Sequence, residues 1–141
     1  MGILPDNIKP AMQGVIPSHV VTCSAAGTPN ASVISQVYYV DGDHVALSHQ
    51  FFNKTKRNVE ENPRAAVWLI HPETYEGWEL HAEFERSETS GPVFDAMDMQ
   101  IEAIASLVGM KGIFKLRAAD VFRVISVKRG TGDRMPLAEI R

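Results

Sequence analysis

A single cysteine, Cys23, rules out an internal disulfide and any cysteine-based metal centre, and suits a reducing compartment. No apolar run approaches the ~20 residues that cross a bilayer. Basic residues do not predominate: 14 Lys+Arg stand against 17 Asp+Glu, a formal net charge of −3. That excludes a generally basic nucleic-acid binder. Met1 to Gln13 carries Asp6, Asn7, Lys9 and Pro10 where a signal peptide needs a continuous apolar stretch, so a cytoplasmic protein without a membrane partner is expected. Internal repeats and low-complexity tracts are missing, as is any nucleophile elbow. His19, His44, His49, His71 and His81 lie on different elements without metal-ligand spacing, so no metal site is expected.

What remains is an ordinary globular composition. Hydrophobic residues are 45% and charged residues 22% of 141, enough for one domain with one core. That domain is expected over residues 1–128, with a loose tail at 129–141 rich in Gly, Pro and charge.

The chain reads as an alternation of strands and a few helices. Pro5 to Gln13 suits a short helix, with Gly14 as its stop. Val20 to Cys23 is rich in β-branched residues and reads as a strand. Ala31 to Val40 reads as a second strand, and Asp41-Gly42 marks a hairpin into His44 to Ser48. Asn53 to Glu61 reads as a helix that stops before Asn62-Pro63, because the residue before proline avoids the helical region. Arg64 to His71 is a mostly buried strand. Trp78 to Glu85 alternates, with Trp78, Leu80, Ala82 and Phe84 on one face and Glu79, His81, Glu83 and Glu85 on the other, wetted face. Pro92 opens a longer helix whose stripe is Val93, Phe94, Met97, Ile101, Ile104, Ala105 and Val108, ended by Gly109. A last strand runs from Phe114 to Val127, with a bulge near Ala118-Ala119-Asp120. Six strands with short connections predict a mainly β, antiparallel sheet curled into a small barrel and flanked by helices.

The segment that carries chemistry is Leu47 to Asn58, joining a strand to a helix N-terminus. Asn53 is a good N-cap residue. Lys54, Lys56 and Arg57 then fall in the first turn and Glu60 and Glu61 near the last. This order opposes the helix dipole, which favours anions at the N-terminus by ~0.3–1 kcal/mol each. A phosphate shared among the cations would reconcile it. Backbone N–H groups of Lys54 and Thr55, the hydroxyls of Ser48 and Thr55, and the Lys54 ammonium would then meet its oxygens. The same pattern also fits a solvated helix with Lys56–Glu60 and Arg57–Glu61 pairs, each contributing only ~0.2–0.5 kcal/mol. Phe51-Phe52 either flanks a planar ligand or plugs the barrel end. His49 lies in this loop and is expected at the surface; Cys23 is expected as a small buried hydrophobe.

Three stretches together, Gly27-Thr28-Pro29-Asn30-Ala31-Ser32-Val33-Ile34-Ser35, the Asp41-Gly42 hairpin, and Ser48 through Asn53-Lys54-Thr55-Lys56-Arg57-Asn58 to Asn62-Pro63, resemble the pyridoxamine 5′-phosphate oxidase-like family of FMN-binding split β-barrels. The resemblance spans Ile16 to about Val127. It implies a homodimer with FMN in clefts between the subunits. It assigns Asn53, Lys54 and Thr55 to the phosphate, and Asn58 to the flavin or its ribityl chain. Ser48, Gln50, Phe51 and Phe52 would lie along the flavin, and the backbone of Ser32, Val33 and Ile34 would face the isoalloxazine ring. The chain departs from the oxidase that names the family. Asn30 or Ala31 and Gln36 stand where an arginine and a lysine would bracket the strand motif, and Trp68 and Trp78 come too early for its closing segment. The resemblance therefore implies the family and not that oxidase. The expected activity is a flavin-dependent oxidoreductase of unknown substrate, with a small redox partner such as NAD(P)H; the alternative is a non-catalytic flavin-binding sensory or dimerisation module.

Overall fold

The computed structural model describes residues 2–13, 16–34, 36–49, 53–109, 112 and 115–130. A 3-10 helix, Asp6–Met12, with Pro10 inside it, is followed by strands β1 (Ser18–Cys23), β2 (Pro29–Ile34), β3 (Val37–Asp41) and β4 (His44–His49). Helix α1 (Asn53–Glu61) leads to β5 (Arg64–Ile70) and β6 (Gly77–Glu88), and helix α2 (Pro92–Leu107) leads to β7 (Ala118–Gly130). Gly14, the expected stop of the first helix, and the tail from 131 lie outside the described residues.

The strands form one antiparallel sheet in the order β2-β1-β5-β6-β7-β4-β3. Its shape follows from a distance argument. Strands β2 and β3 occupy opposite edges, yet only three Cα steps separate Ile34 from Val37, a reach of at most ~11 Å. A flat sheet would hold those edges ~29 Å apart at ~4.8 Å per strand. The sheet must therefore curl until its edges meet. Strands β2 and β3 are not neighbours in the hydrogen-bonded order, so the barrel stays open along that seam: a split barrel.

The strand count is seven and not six. The run Ala31 to Val40, read above as one strand, is divided between β2, which ends at Ile34, and β3, which starts at Val37, because β2 must pair with β1 and β3 with β4 on the far edge. Between the two, Gln36 is buried and its amide N–H₂ donates to Gln100 of α2. The last strand starts at Ala118, later than expected, and runs on to Gly130, which lies opposite Gly77. Its register is regular at 118–120. The shifts fall between His81 and Ala82 and between Phe84 and Arg86 of the β6–β7 pair, where extra residues increase the local twist.

Inside the barrel, Val20, Ile34, Val45, Leu47, Val67, Leu69, Trp78, Leu80, Phe122 and Val124 interlock. Phe84 and Phe122 stack edge to face with centroids 5.5 Å apart. The 3-10 helix contributes Leu4, Ile8, Ala11 and Met12 to this core. A second cluster lies on the outer side of β4 and β7, where Met97 and Ile101 of α2 cover Ala46, Ala119 and Val121. Val108, expected on the buried stripe, is exposed because α2 has already ended at Leu107. The Asp41-Gly42 hairpin forms as expected, closed by Asp43 N–H donating to Asp41 Oδ1 at 2.8 Å.

Candidate functional site

Helix α1 closes one end of the barrel, and its inward face is polar before it is apolar. Thr55, Asn58 and Val59, at i, i+3 and i+4, are all buried. Asn30 Nδ2 donates to Thr55 Oγ1 at 3.2 Å, and the Thr55 hydroxyl shares a hydrogen bond with Ser32 Oγ at 3.0 Å. Asn58 Nδ2 donates to Thr22 Oγ1 at 3.1 Å. Thr22 lies directly opposite Asn30 in the β1–β2 register. The strands thus present a polar row to the helix, and Val59 continues into the core.

Lys56 takes the opposite direction. Its ammonium pairs with Asp120 Oδ1 of β7 at 2.6 Å, donates to Ser87 Oγ of β6, and stands 5.1 Å from the centre of the Phe84 ring. Ser87 Oγ also donates to Asp120 Oδ1, at 2.6 Å. The first turn of α1 is therefore held from both sides, by β2 through Thr55 and by β6 and β7 through Lys56. This corrects the reading of three cations sharing one anion. Lys56 already has a counter-ion, which leaves Lys54 and Arg57 as the exposed cations of α1. The alternative of i,i+4 pairs is not what forms either. Lys56 pairs with Asp120 and not Glu60, and Glu61 accepts the Ala25 N–H at 3.1 Å.

His49 ends β4 just before this turn. It is half-buried, not the surface residue expected. Burial pushes its imidazole below the ordinary 6.5; the nearby Asp120 and Glu60 carboxylates oppose the shift and Lys56 and Arg117 add to it.

The expected site residues divide in a definite way. Ser32 and Thr55 meet directly, with Asn58 beside them, while Lys54 is exposed on the same turn. Val33 points to the outer face of β2 and is 61% exposed, whereas Ile34 is buried in the barrel core. Ser48 is buried, and strand alternation puts it on the Ala46 face of β4, under α2 and away from Leu47 and His49. Gln50, Phe51, Phe52 and the side chain of Asn53 lie outside the described residues. Sequence reasoning missed Thr22, Ser87 and Asp120. Asp120 had a readable signal: a lone carboxylate between Ala118-Ala119 and Val121-Phe122 must find a partner when its strand is buried.

The outer face of β1, β2 and β5 is the other open surface. Val33 and Val21 are exposed there, beside Ala31 and Ala66. A groove of about 300 Å³ runs along it, lined by Val21, Cys23, Pro29, Arg64, Ala66 and His81. Cys23, expected as a buried hydrophobe, borders this groove and is only partly covered. Next to it, Glu79 accepts from Trp68 Nε1 at 3.0 Å and lies 2.6 Å from His81 Nε2; the His81 contact, ahead of the Trp68 one, holds its carboxyl below the usual range. Among the described residues no three His, Cys, Asp or Glu side chains converge as a metal site, and no helix is long and apolar enough to cross a membrane.

Comparison with known proteins decides the family. A pyridoxamine 5′-phosphate oxidase family model matches residues 4–128. The chain belongs to the pyridoxamine 5′-phosphate oxidase-like family. No curated protein matches it in sequence. Among solved structures, an FMN-binding protein from Syntrophomonas wolfei superposes with a TM-score of 0.73 at 16% identity, covering 88% of this chain and 86% of that one. HutZ, the heme storage protein from Vibrio cholerae, gives 0.59 at 19% identity over 95% and 99%. An F420 reductase gives 0.59 at 17% identity over 89% and 98%. Identities this low establish the split-barrel fold and leave the ligand to be argued from the site.

Proposed function

We propose that this family member binds FMN, with the flavin phosphate on the tip of α1, and acts as a flavin-dependent oxidoreductase. The observation that carries the reading is the tip itself. A helix N-terminus without an acidic residue in its first turn carries exposed Lys54 and is fixed from two sides. Free amides, the dipole and a nearby ammonium together favour a phosphate. The donor set therefore fits this cofactor. Lys54 would pair with the phosphate, and the backbone N–H groups of Asn53, Lys54 and Thr55 would bond its oxygens.

Strand β2 is an edge strand, so one side of its backbone lacks a strand partner; Ser32, Val33 and Ile34 would offer that side to the flavin ring. The segment Gln50, Phe51 and Phe52 would flank the ring, with Ser48 behind it near the end of β4. Asn58, bonded to Thr22, would serve by holding the helix and not by touching the ligand. Bound flavin supplies hydride and electron transfer, and the protein supplies orientation and access. A small planar donor such as NAD(P)H would use the open ring face.

The site faces a second copy of the chain in this reading. Exposed Val21 and Val33 on the outer sheet face, next to the groove at Arg64 and His81, are the apolar surface such a homodimer would cover. A reducing, cytoplasmic location would suit the single thiol of Cys23.

The test is the mass and visible spectrum of the small molecule that co-purifies, followed by titration of stripped protein with FMN and riboflavin. Flavin bound with preference for FMN supports the reading. A haem spectrum, or indifference to both flavins, overturns it. Bleaching of the bound flavin by NAD(P)H without air, with turnover on re-aeration, separates an oxidoreductase from a non-catalytic flavin module.

A further inference from the structure

The ion pair behind the α1 tip joins the helix to β6 and β7, and its charges bear on what the tip selects. Asp120 has a side chain only 6% exposed and receives two donors at 2.6 Å, the Lys56 ammonium and the Ser87 hydroxyl. It lies opposite Leu47 on β4 and Ser87 on β6, so its position is set by two strand registers. Lys56 is 20% exposed. Lys56 is the fourth residue of α1, so the pair is tied to the first turn of the helix. In so sheltered a place charges act on one another more strongly than in water.

We propose that Asp120 sets the charge preference of this site: by holding the Lys56 ammonium it keeps a second cation off the ligand, so that the phosphate is gripped by Lys54 and the helix amides alone. The proposal rests on the flavin-phosphate reading above and adds a specificity-determining residue to it. Seen from the phosphate, Lys56 and Asp120 cancel. Removing Asp120 leaves one extra positive charge, removing Lys56 leaves one extra negative charge, and removing both restores balance.

The experiment compares FMN with riboflavin, which lacks only the phosphate, by fluorescence titration of stripped full-length protein. The quantity read is the ratio of the two dissociation constants, because general damage to the site weakens both ligands and divides out. Asp120→Asn should raise the preference for FMN by about tenfold, and Lys56→Met should lower it by a similar factor. The double variant should return to within about twofold of the parent, and Asp120→Glu should stay there. If Asp120→Asn does not fold, Lys56→Met and the double variant decide, since a neutral pair replacing an ion pair is usually tolerated. A ratio unmoved by both single variants, or moved in the same direction by both, overturns the proposal while leaving flavin binding intact. Parent protein that binds neither flavin overturns the flavin reading and this proposal with it.

Discussion

Thr55→Val is the most direct probe of how the helix tip is held. Valine has nearly the shape of threonine, so the change removes a hydroxyl and little else. The hydroxyl is buried, accepts from Asn30 at 3.2 Å and shares a bond with Ser32 at 3.0 Å. Each such bond contributes ~0.5–1.5 kcal/mol net, more when its partner is left unsatisfied. Asn30 keeps Ser32 Oγ as a second acceptor at 3.3 Å, and the added methyl gains up to ~0.8 kcal/mol of burial. The expected loss is therefore ~1–2 kcal/mol, or a midpoint lowered by roughly 3–8 °C for a domain of this size. Urea titration should show it as a lower midpoint with unchanged slope. A double-mutant cycle with Ser32→Ala should return a coupling of at least ~0.5 kcal/mol. A stability change within ~0.3 kcal/mol together with zero coupling would refute the view that this hydroxyl joins α1 to β2.

Other outcomes follow from the same geometry. Lys54→Ala should weaken FMN by ~1–3 kcal/mol, the scale of a lost charge-assisted contact, and leave riboflavin unchanged; equal affinity of parent and variant in a fluorescence titration would remove Lys54 from the site. Val33→Asp, at a position 61% exposed on the outer sheet face, should shift the proposed dimer to monomer in light scattering and weaken FMN with it. Two histidines should give opposite pH responses. His44 is held above 6.5 by its hydrogen bond to Asp41, with Glu85 adding to the effect, and Asp41 is held below 3.8, chiefly by the Asp43 N–H and then by His44. That clip is at full strength between the ordinary values of 3.8 and 6.5 and is lost as pH rises through the raised folded value of His44, so the gap between parent and His44→Gln should narrow toward alkaline pH. His49 is depressed below 6.5 by burial, so its contribution is complete above that value and is lost on acidification; His49→Gln should flatten the decline in urea midpoint below about pH 6. A parallel pH response in the two variants contradicts both assignments.

Much of the fold was legible because its signals are local. A period of two along Trp78, Leu80, Ala82 and Phe84 and of 3.6 along Met97, Ile101 and Ala105 reports which side of a strand or helix is dry, and all seven side chains are buried or half-buried where expected. The Asp41-Gly42 turn and the stop at Asn62-Pro63 are properties of a few consecutive residues. The division between Ile34 and Val37 was not legible, because nothing within Ala31 to Val40 records that its two halves pair with different strands. The same limit applies to the site. Reversed charge order at the start of α1 marks it as unusual, but not which of its cations is free.

By itself the sequence determined most of the elements, their order, the family resemblance and the reversed charge order at the start of α1, since each depends on neighbours in the chain. Only the tertiary structure decided that β2 is an edge strand, that Thr55 bonds to Ser32 of β2, and that Lys56 bonds to Asp120, 64 residues away. Those outcomes depend on how a curled sheet sets its registers, and an ion pair forms wherever registers bring opposite charges into a sheltered place, however far apart they stand in the chain.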